Sequence, residues 1–479
     1  MKLTKLLPLF TAGLLTTCAL DLAAQHITLL HTFSTTAGIS NWDGAGPRAN
    51  LVLSGNTLYG TAPQGGSNGY GAVFSISTNG SNFTVLHTFT GGSDAGGPDA
   101  NLVLAGDTLY GTEGRGTNLG ASGSVFSVST NGSNFALLYT FTTNATANGA
   151  LGSPNPGVII SGGTLYGAAW GGGISNAGTI FSVSTNGTNF QLLHQFNSFT
   201  DGGNPLGGMV ISGGTLYGTA RNGGSNGLAG TVFSVGTDGG GFTVLHTFSP
   251  SPSLDGKAPD GDLILSGNTL YGTTFSGGTN GMGTVFSINT DGSNYTVIHS
   301  FNTAAGEGKD PEAGLFLRGN TLYGTTIADP GGINGTIYSV NTDGSSFTVL
   351  HTFSIANASY SYTNSDGAQP FGAVAMSGNI LYGTTSVGGV TGLGTVFSFP
   401  IVPQITGLSL SATNLVLSGI NALAGNTYAV LASTNVILPL YQWQTVSTNL
   451  LSSGGNFTLT ATNAVDLSLP QRFYILQSQ

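Results

Sequence analysis

Residues 270–287 read LYGTTFSGGTNGMGTVFS and are the clearest copy of the pattern that decides the fold. A short run rich in Leu, Tyr and Thr comes first, followed by a Gly-Gly pair and a second run that ends in Val-Phe-Ser. Val, Phe, Tyr and Thr favour β-strands, whereas Gly-rich segments between such runs form turns and loops. The stretch therefore predicts two β-strands joined by a loop.

The tripeptide Leu-Tyr-Gly makes this pattern a tandem repeat, because it occurs seven times. Its tyrosines follow one another at intervals of 51, 56, 51, 54, 52 and 59 residues: Tyr59, Tyr110, Tyr166, Tyr217, Tyr271, Tyr323 and Tyr382. The first unit contains four strand-like runs, at residues 51–54, 57–61, 72–77 and 83–89. Four antiparallel strands in each of seven such units predict a β-propeller.

The two ends of the repeat region complement each other. Residues 27–33 form a lone fourth-strand sequence before the first unit, whereas the last unit stops at residues 396–399 after three strands. If the lone strand completes the last unit, no sheet edge stays open at that point. We therefore predict an all-β fold with a seven-bladed β-propeller over residues 25–400 that is closed by its N-terminal strand.

The end of the chain departs from the repeat. After Pro400 and Pro403 the Leu-Tyr-Gly pattern stops. Alternating apolar and polar segments then predict strands at residues 407–411, 414–418, 427–432, 457–462 and 472–476. They predict a small C-terminal β-sandwich over residues 404–479.

Residues 1–24 have the composition of a secretory signal peptide. Lys2 and Lys5 flank the start of an apolar stretch at residues 6–15, and small residues precede Gln25, where we expect cleavage. The single cysteine, Cys18, lies in this segment, and lipid attachment there is the alternative. We expect the protein to be secreted or displayed on the cell surface.

The composition excludes several partners. Charged residues make up 6% of the 479, against roughly 25% in an ordinary soluble domain, and the net charge is −10. So few basic residues do not build a face for nucleic acid. No stretch after the leader reaches the roughly 18 apolar residues of a transmembrane span. We expect a monomer that binds neither nucleic acid nor a cofactor.

An acidic residue stands four positions before a proline in six of the inter-repeat loops. These residues form a predicted acidic ring: Asp43, Asp94, Asp201, Asp255, Glu307 and Asp366. Such a ring could bind a cation or an amine, or orient sugar hydroxyls. We favour the alternative, in which each carboxylate accepts backbone N–H bonds in an Asx-type turn and the proline fixes the loop.

The fourth residue after each repeat tyrosine varies while its neighbours stay nearly constant. Consecutive units carry Trp170, Arg221 and Phe275 at this position. With Asp201 and Asp255 from the loops between them, these residues are predicted to form one patch. Aromatic faces stack on sugar rings, while Arg and Asp hydrogen-bond hydroxyls, so the patch is a candidate glycan site. The alternative is that these side chains cover the edges of neighbouring sheets.

Six of the seven histidines occupy one position in the fourth strand, and Tyr139 occupies it in the remaining unit. They are His31, His87, His194, His246, His299 and His351. One histidine per unit is too far from the next for two imidazoles to share an ion at about 2 Å. We predict hydrogen-bonded structural histidines, and neither a metal site nor catalytic residues.

The combination of Leu-Tyr-Gly-Thr-Thr, Gly-Gly and Gly-Thr-Val-Phe-Ser, present over residues 27–399, resembles the GloVer tandem repeat of exported bacterial proteins. It is more distantly similar to kelch blades. The resemblance implies that the C-terminal segment is an anchor or sorting module, as these "choice-of-anchor" proteins differ there; a stabilising cap is the alternative. It implies no catalytic residues.

These features favour an exported, non-enzymatic binding protein that recognises a polysaccharide or an extracellular protein through its longer loops. One alternative is an extracellular carbohydrate-active enzyme that uses a pair of ring carboxylates such as Asp201 and Asp255. The other is a purely structural or adhesive surface element.

Overall fold

The computed structural model is all-β, with 51% of residues in strands and 1% in helices. It describes residues 7–10, 26–35, 41–114, 121–142, 157–224, 229–250, 253–329, 332, 334–354, 362–423, 425–435, 437–451, 455–465 and 471–478. Two short 3-10 helices, Thr303–Ala305 and Leu440–Gln442, are the helical turns in these ranges. No helix in the same ranges has the length and apolar character needed to cross a membrane.

The strands are numbered in chain order. Two precede the repeats, β1 (Leu7–Phe10) and β2 (Thr28–Thr32). The repeats contain β3 (Val52–Ser54), β4 (Thr57–Ala62), β5 (Ala72–Ser77), β6 (Thr84–Thr88), β7 (Val103–Ala105), β8 (Thr108–Glu113), β9 (Ala121–Ser129), β10 (Ala136–Thr142), β11 (Val158–Ser161), β12 (Thr164–Ala169), β13 (Thr179–Ser184), β14 (Gln191–Gln195), β15 (Val210–Ser212), β16 (Thr215–Ala220), β17 (Thr231–Gly236), β18 (Thr243–Thr247), β19 (Ile264–Ser266), β20 (Thr269–Thr274), β21 (Thr284–Asn289), β22 (Thr296–Ser300), β23 (Phe316–Arg318), β24 (Thr321–Thr326), β25 (Thr336–Asn341), β26 (Thr348–Thr352), β27 (Ala375–Ser377), β28 (Ile380–Thr385) and β29 (Thr395–Pro400). The C-terminal part contains β30 (Gln404–Ser411), β31 (Asn414–Ala422), β32 (Thr427–Ser433), β33 (Gln444–Leu450), β34 (Gly455–Ala461) and β35 (Gln471–Ser478).

The repeat region forms antiparallel sheets of four strands, numbered here sheets 1 to 7. Sheets 1 to 6 each contain four consecutive strands, from β3–β6 in sheet 1 to β23–β26 in sheet 6. Sheet 7 has the order β2-β29-β28-β27, with Thr28 opposite Ser398. The prediction of four antiparallel strands per repeat is confirmed, and the N-terminal strand pairs with the last repeat.

The Leu-Tyr-Gly motif alternates between the two faces of its strand and so packs each sheet against both neighbours. In sheet 4, Leu216 is fully buried in a cluster with residues of sheet 3. Tyr217 points to the other face and packs with Leu270 and Phe286 of sheet 5. This alternation is the two-residue period of a strand. The repeat tyrosines therefore pack between sheets.

Six of the inter-repeat loops pack against the preceding sheet through their prolines. Gly230 adopts a φ of +105°, and a Cβ there would lie 2.5 Å from Cδ of Pro259. Gly394, at the end of the repeats, approaches Pro47 at their beginning in the same way. A Cβ on Gly394 would lie 2.8 Å from Cδ of Pro47. Thr384 Oγ1 also donates to the carbonyl oxygen of Ala49 at 3.2 Å. Sheet 7 thus contacts the loop that precedes sheet 1.

The residues after 403, together with β1, form two further sheets that share one core. Strands β30, β31 and β34 form the first sheet, and the second has the order β1-β35-β32-β33. Leu417 of the first sheet and Tyr428 and Tyr474 of the second lie in one buried cluster. Strand β33 adds to the strands that the alternation predicted.

Several contacts attach this C-terminal part to the repeats. The Arg318 guanidinium donates to Asn426 Oδ1 at 2.9 Å, and Leu423 is buried in a cluster with Tyr323 and Phe399. At the other end of the chain, β1 lies within the predicted signal peptide and pairs with β35. The rest of residues 1–24 lies outside the described residues, and cleavage before Gln25 stays a prediction.

Candidate functional site

The six residues of the acidic ring are hydrogen-bonded to the six fourth-strand histidines. His194 Nε2 lies 2.9 Å from Asp201 Oδ2, and His246 Nε2 lies 3.1 Å from Asp255 Oδ2. The same pairing joins His31 to Asp43, His87 to Asp94, His299 to Glu307 and His351 to Asp366. Asp201 Oδ1 also accepts the backbone N–H of Asn197 at 2.6 Å, and the other five accept corresponding backbone bonds. These contacts close the loops. The carboxylates accept backbone N–H bonds, as in the interpretation that we favoured, but from residues four to twelve positions earlier in the chain and not in Asx-type turns.

Each of five histidines also stacks on an aromatic ring of the next repeat. The rings of His194 and Phe242 lie 3.7 Å apart at an interplanar angle of 5°. Tyr139 occupies the same position in repeat 2 and stacks on Phe190 of repeat 3 at 3.8 Å. A tyrosine therefore preserves the stacking without an imidazole.

Four of the histidines and two of the carboxylates give the fold a dependence on pH. Burial lowers the pKa of His87, His194, His246 and His299, and this outweighs the neighbouring carboxylates, which raise it. For Asp43 and Asp366, burial alone would raise the pKa, but hydrogen bonds from histidine and serine lower it overall. Both kinds of group stabilise the folded state above their unfolded pKa values and lose that contribution as the pH falls.

We expect His194→Tyr to remove one such contribution while keeping the stacked ring. The wild type should lose more thermal stability than the variant as the pH falls from 8 to 5, so the difference between their thermal midpoints, wild type minus variant, should decrease. The reason is that only the wild type must bury a neutral imidazole at that position. Differential scanning calorimetry measures both midpoints. A difference that is constant or grows on acidification would contradict this account of His194.

A separate network of hydrogen bonds joins loops that are far apart in sequence. Asp262 Oδ2 accepts from Nδ2 of Asn50 at 2.8 Å and from Nδ2 of Asn101 at 2.7 Å, and Oδ1 accepts from the N–H of Gly208. Asn50 Oδ1 in turn accepts the N–H of Ala373, and Asn101 Oδ1 accepts the N–H of Asn50. The loops before sheets 1, 2 and 4 are therefore bonded to Asp262 in the loop before sheet 5, and the loop before sheet 7 joins them through Asn50.

A cavity of about 220 Å³ lies over this network. It is lined by the residue that follows the loop proline in six repeats: Arg48, Asp99, Leu206, Asp260, Glu312 and Phe371. Asn50, Asn101 and Asp262 also line it, two positions further along each loop. We call this the central cavity. The loops that form its wall have the same sequence pattern in these repeats, but the residue directly after the proline varies from one repeat to the next.

Charged side chains dominate the wall of the central cavity. Asp260 is 5% exposed, and its Oδ2 accepts from Arg221 Nη1 at 2.5 Å. Burial raises the pKa of Asp260 to about 8, although Arg221 opposes the shift. Burial also raises the pKa of Glu312, against the attraction of Arg221 and Arg48. Carboxyl groups with raised pKa values in a cavity mark a candidate functional site.

The predicted patch is assembled in part. The Arg221 guanidinium lies over the Phe275 ring at 5.3 Å, and Trp170 is 45% exposed. Asn204 connects them, since its carbonyl accepts the N–H of Arg221 and its Nδ2 donates to the carbonyl of Trp170. Asp201 and Asp255, however, are held by histidines, and Arg221 pairs with Asp260 instead. Whether the patch binds a ligand stays a prediction.

The sequence analysis missed the residues that line the central cavity. The signal that could have revealed them is the one that singled out Trp170, Arg221 and Phe275, namely variation at one position of an otherwise constant repeat. Among the described residues, no group of three or more His, Cys, Asp or Glu side chains is placed to hold a metal ion.

The fold and the site define an all-β repeat protein with propeller-like sheets and a polar cavity where its loops converge. Its repeats match the model of the Gloeobacter/Verrucomicrobia repeat over residues 13–229 and 207–430. The chain belongs to this family, and the resemblance to the GloVer repeat is confirmed. No curated protein matches the sequence significantly.

Solved structures with similar folds differ widely in sequence. One is PorZ, a bacterial surface component of the type-IX secretion system of Porphyromonas gingivalis, at 13% identity and a TM-score of 0.49. That match covers 91% of this chain, which spans 59% of the PorZ chain. Another is an oligogalacturonate lyase in complex with manganese, at 12% identity and a TM-score of 0.47, covering 84% of this chain and 98% of that one. Similarity at this level concerns the β-sheet architecture alone.

Proposed function

We propose that this protein is an exported, non-enzymatic binding protein that takes a polysaccharide into the central cavity of a closed, seven-bladed β-propeller. The pairing of β2 with β29 and the contact of Gly394 with Pro47 support closure of the ring. The signal-like residues 1–24 support export. The two C-terminal sheets, with their shared core, support a small β-sandwich that displays or caps the propeller.

The observation that carries the proposal is that loops of similar sequence place chemically different side chains around one cavity. Phe371 offers an apolar ring, with the Arg48 guanidinium over it at 4.9 Å. Asp99, Asp260 and Glu312 supply carboxyl groups on neighbouring parts of the wall. A mixture of an aromatic surface and convergent polar groups is typical of small-molecule and sugar sites.

A glycan array probed with the full chain tests the proposal. Phe371→Ala should weaken binding of any glycan that the wild type retains by about tenfold, because one well-packed aromatic contact is worth about 1–1.5 kcal/mol. Trp170→Ala is the matched aromatic control at the predicted patch. If Trp170→Ala loses glycan binding and Phe371→Ala binds as the wild type does, the binding site is the predicted patch and not the cavity. Binding to no glycan at all would favour a protein partner or a structural role.

A second candidate function, cleavage of a polysaccharide, is favoured by one observation. Asp260 and Glu312 both have raised pKa values at the same cavity, and a protonated carboxyl group is the general acid of glycoside hydrolysis. If the protein is an enzyme, this pair replaces Asp201 and Asp255, which are bound to His194 and His246. New reducing ends in digests by the wild type, absent with Asp260→Asn, would support cleavage.

A further inference from the structure

The central cavity has an excess of negative groups. Four carboxyl groups line it, belonging to Asp99, Asp260, Asp262 and Glu312, whereas Arg48 is the one basic residue of its described lining. Arg221 stands behind the wall and pairs with Asp260. Even with both guanidinium groups counted, full ionisation would leave the cavity negative.

One carboxyl oxygen of this wall is buried without a partner. The Asp260 side chain is 1% exposed, and Oδ2 is taken by Arg221. Oδ1 is buried and has no hydrogen-bond partner among the described residues. A buried, unpaired carboxylate oxygen costs free energy that a ligand can recover by donating a hydrogen bond to it. Asp260 lines the cavity, which makes an occupant of the cavity the candidate donor.

We propose that the central cavity binds a primary ammonium group, as carried by an amino sugar within a polysaccharide. This inference rests on the proposed function and names the chemical class of its ligand. An ammonium group offers three donors and no acceptor, so it suits a wall of acceptors better than a hydroxyl or an amide does. Its charge also offsets the excess of carboxylates around it.

The groups that face Asp260 support this assignment. Arg221 favours its ionised form, whereas Glu312 opposes it. Glu312 itself lies within the influence of Arg48, Arg221, Asp99 and Asp310. Burial raises the pKa of Asp260 to about 8, so without a cation the carboxyl group is mostly protonated at pH 6.5. A bound ammonium favours the carboxylate, and binding should therefore release protons.

The experiment is calorimetric titration of the full chain at pH 6.5 with two matched probes, a glucosamine tetramer and its fully N-acetylated counterpart. The tetramers share one sugar backbone and differ at the nitrogen, which is an amine in one and a neutral acetamide in the other. We expect the ammonium form to bind at least tenfold more tightly. Titration in buffers with different ionisation enthalpies should show that the wild type releases more protons, or takes up fewer, than Asp260→Asn does, since the amines of the probe titrate alike with both proteins.

Asp260→Asn should reduce the preference for the ammonium tetramer to less than threefold. Glu312→Gln should reduce it in part, and this second variant keeps the proposal testable if the first one unfolds. Asp238→Asn, in an exposed turn, is the control that should leave it unchanged. Equal or tighter binding of the acetylated tetramer would overturn the inference while leaving glycan binding intact. Binding of neither tetramer would overturn it as well, and failure of the whole glycan array would be needed to reject the proposed function.

Discussion

Asp262→Asn should lower the free energy of unfolding by about 2 kcal/mol, although it changes only an oxygen to an amide nitrogen. Both carboxylate oxygens of Asp262 accept, one from Asn50 and Asn101 and the other from Gly208. The asparagine side chain has one acceptor oxygen and one donor nitrogen. At least one of the N–H groups of Asn50, Asn101 and Gly208 would therefore face the new amide nitrogen, which is itself a donor.

The two partner amides cannot correct the mismatch by turning over. Asn50 Oδ1 already accepts from Ala373, and Asn101 Oδ1 accepts from the N–H of Asn50. The loss is limited because burial raises the pKa of Asp262, so removing its charge also removes a desolvation cost.

Denaturant unfolding of the full chain, followed by tryptophan fluorescence, measures the change produced by Asp262→Asn. Asp238→Asn is the matched control, because repeats 1 to 3 carry Asn79, Asn131 and Asn186 in the corresponding turn. A stability of Asp262→Asn equal to that of the wild type would show that the loops do not depend on Asp262.

Gly218→Ala should destabilise the fold by about 1–3 kcal/mol through overpacking. A Cβ on Gly218 would lie 2.6 Å from Cζ of Phe233 and 3.0 Å from Cγ of Met209. Phe233 is fully buried, so its ring has little room to retreat. The Leu-Tyr-Gly motif thus requires glycine because the aromatic ring of the next strand crosses it.

The control for Gly218→Ala is Gly407→Ala, also within a strand. Its nearest neighbour would be Cβ of Ser418 at 3.5 Å, an ordinary contact. Replacing this glycine should be neutral or slightly stabilising, since alanine has less freedom in the unfolded chain. Measurement of the thermal midpoints of the two variants tests this account. We expect a lower midpoint for Gly218→Ala than for Gly407→Ala, and equal midpoints would contradict the role assigned to Gly218.

The repeat sheets could be predicted closely because each strand carries its own local signals. The run predicted at residues 72–77 coincides with β5, and residues 57–61 lie within β4. Strand β33 was missed, because residues 444–450 alternate weakly and contain only two apolar residues, Val446 and Leu450. Its pairing with β32 depends on contacts that are distant in sequence.

The candidate site could be predicted only in part, since it depends on which loops converge. Contact between Arg221 and Phe275 follows from their positions in adjacent repeats. The bond between Asn101 and Asp262 spans 161 residues, and no local pattern indicates it. Asp255, which was placed in the predicted patch, and Asp260 lie in one loop, and only the folded chain shows that Asp260 is the one that pairs with Arg221.

A crystal structure of the full chain with a glycan that it retains on the array tests the central claim most directly. We predict ligand density in the central cavity, in hydrogen-bond contact with Asp260 and in van der Waals contact with Phe371. Density over Trp170 and away from the cavity, with Asp260 Oδ1 still unpartnered, would contradict the account.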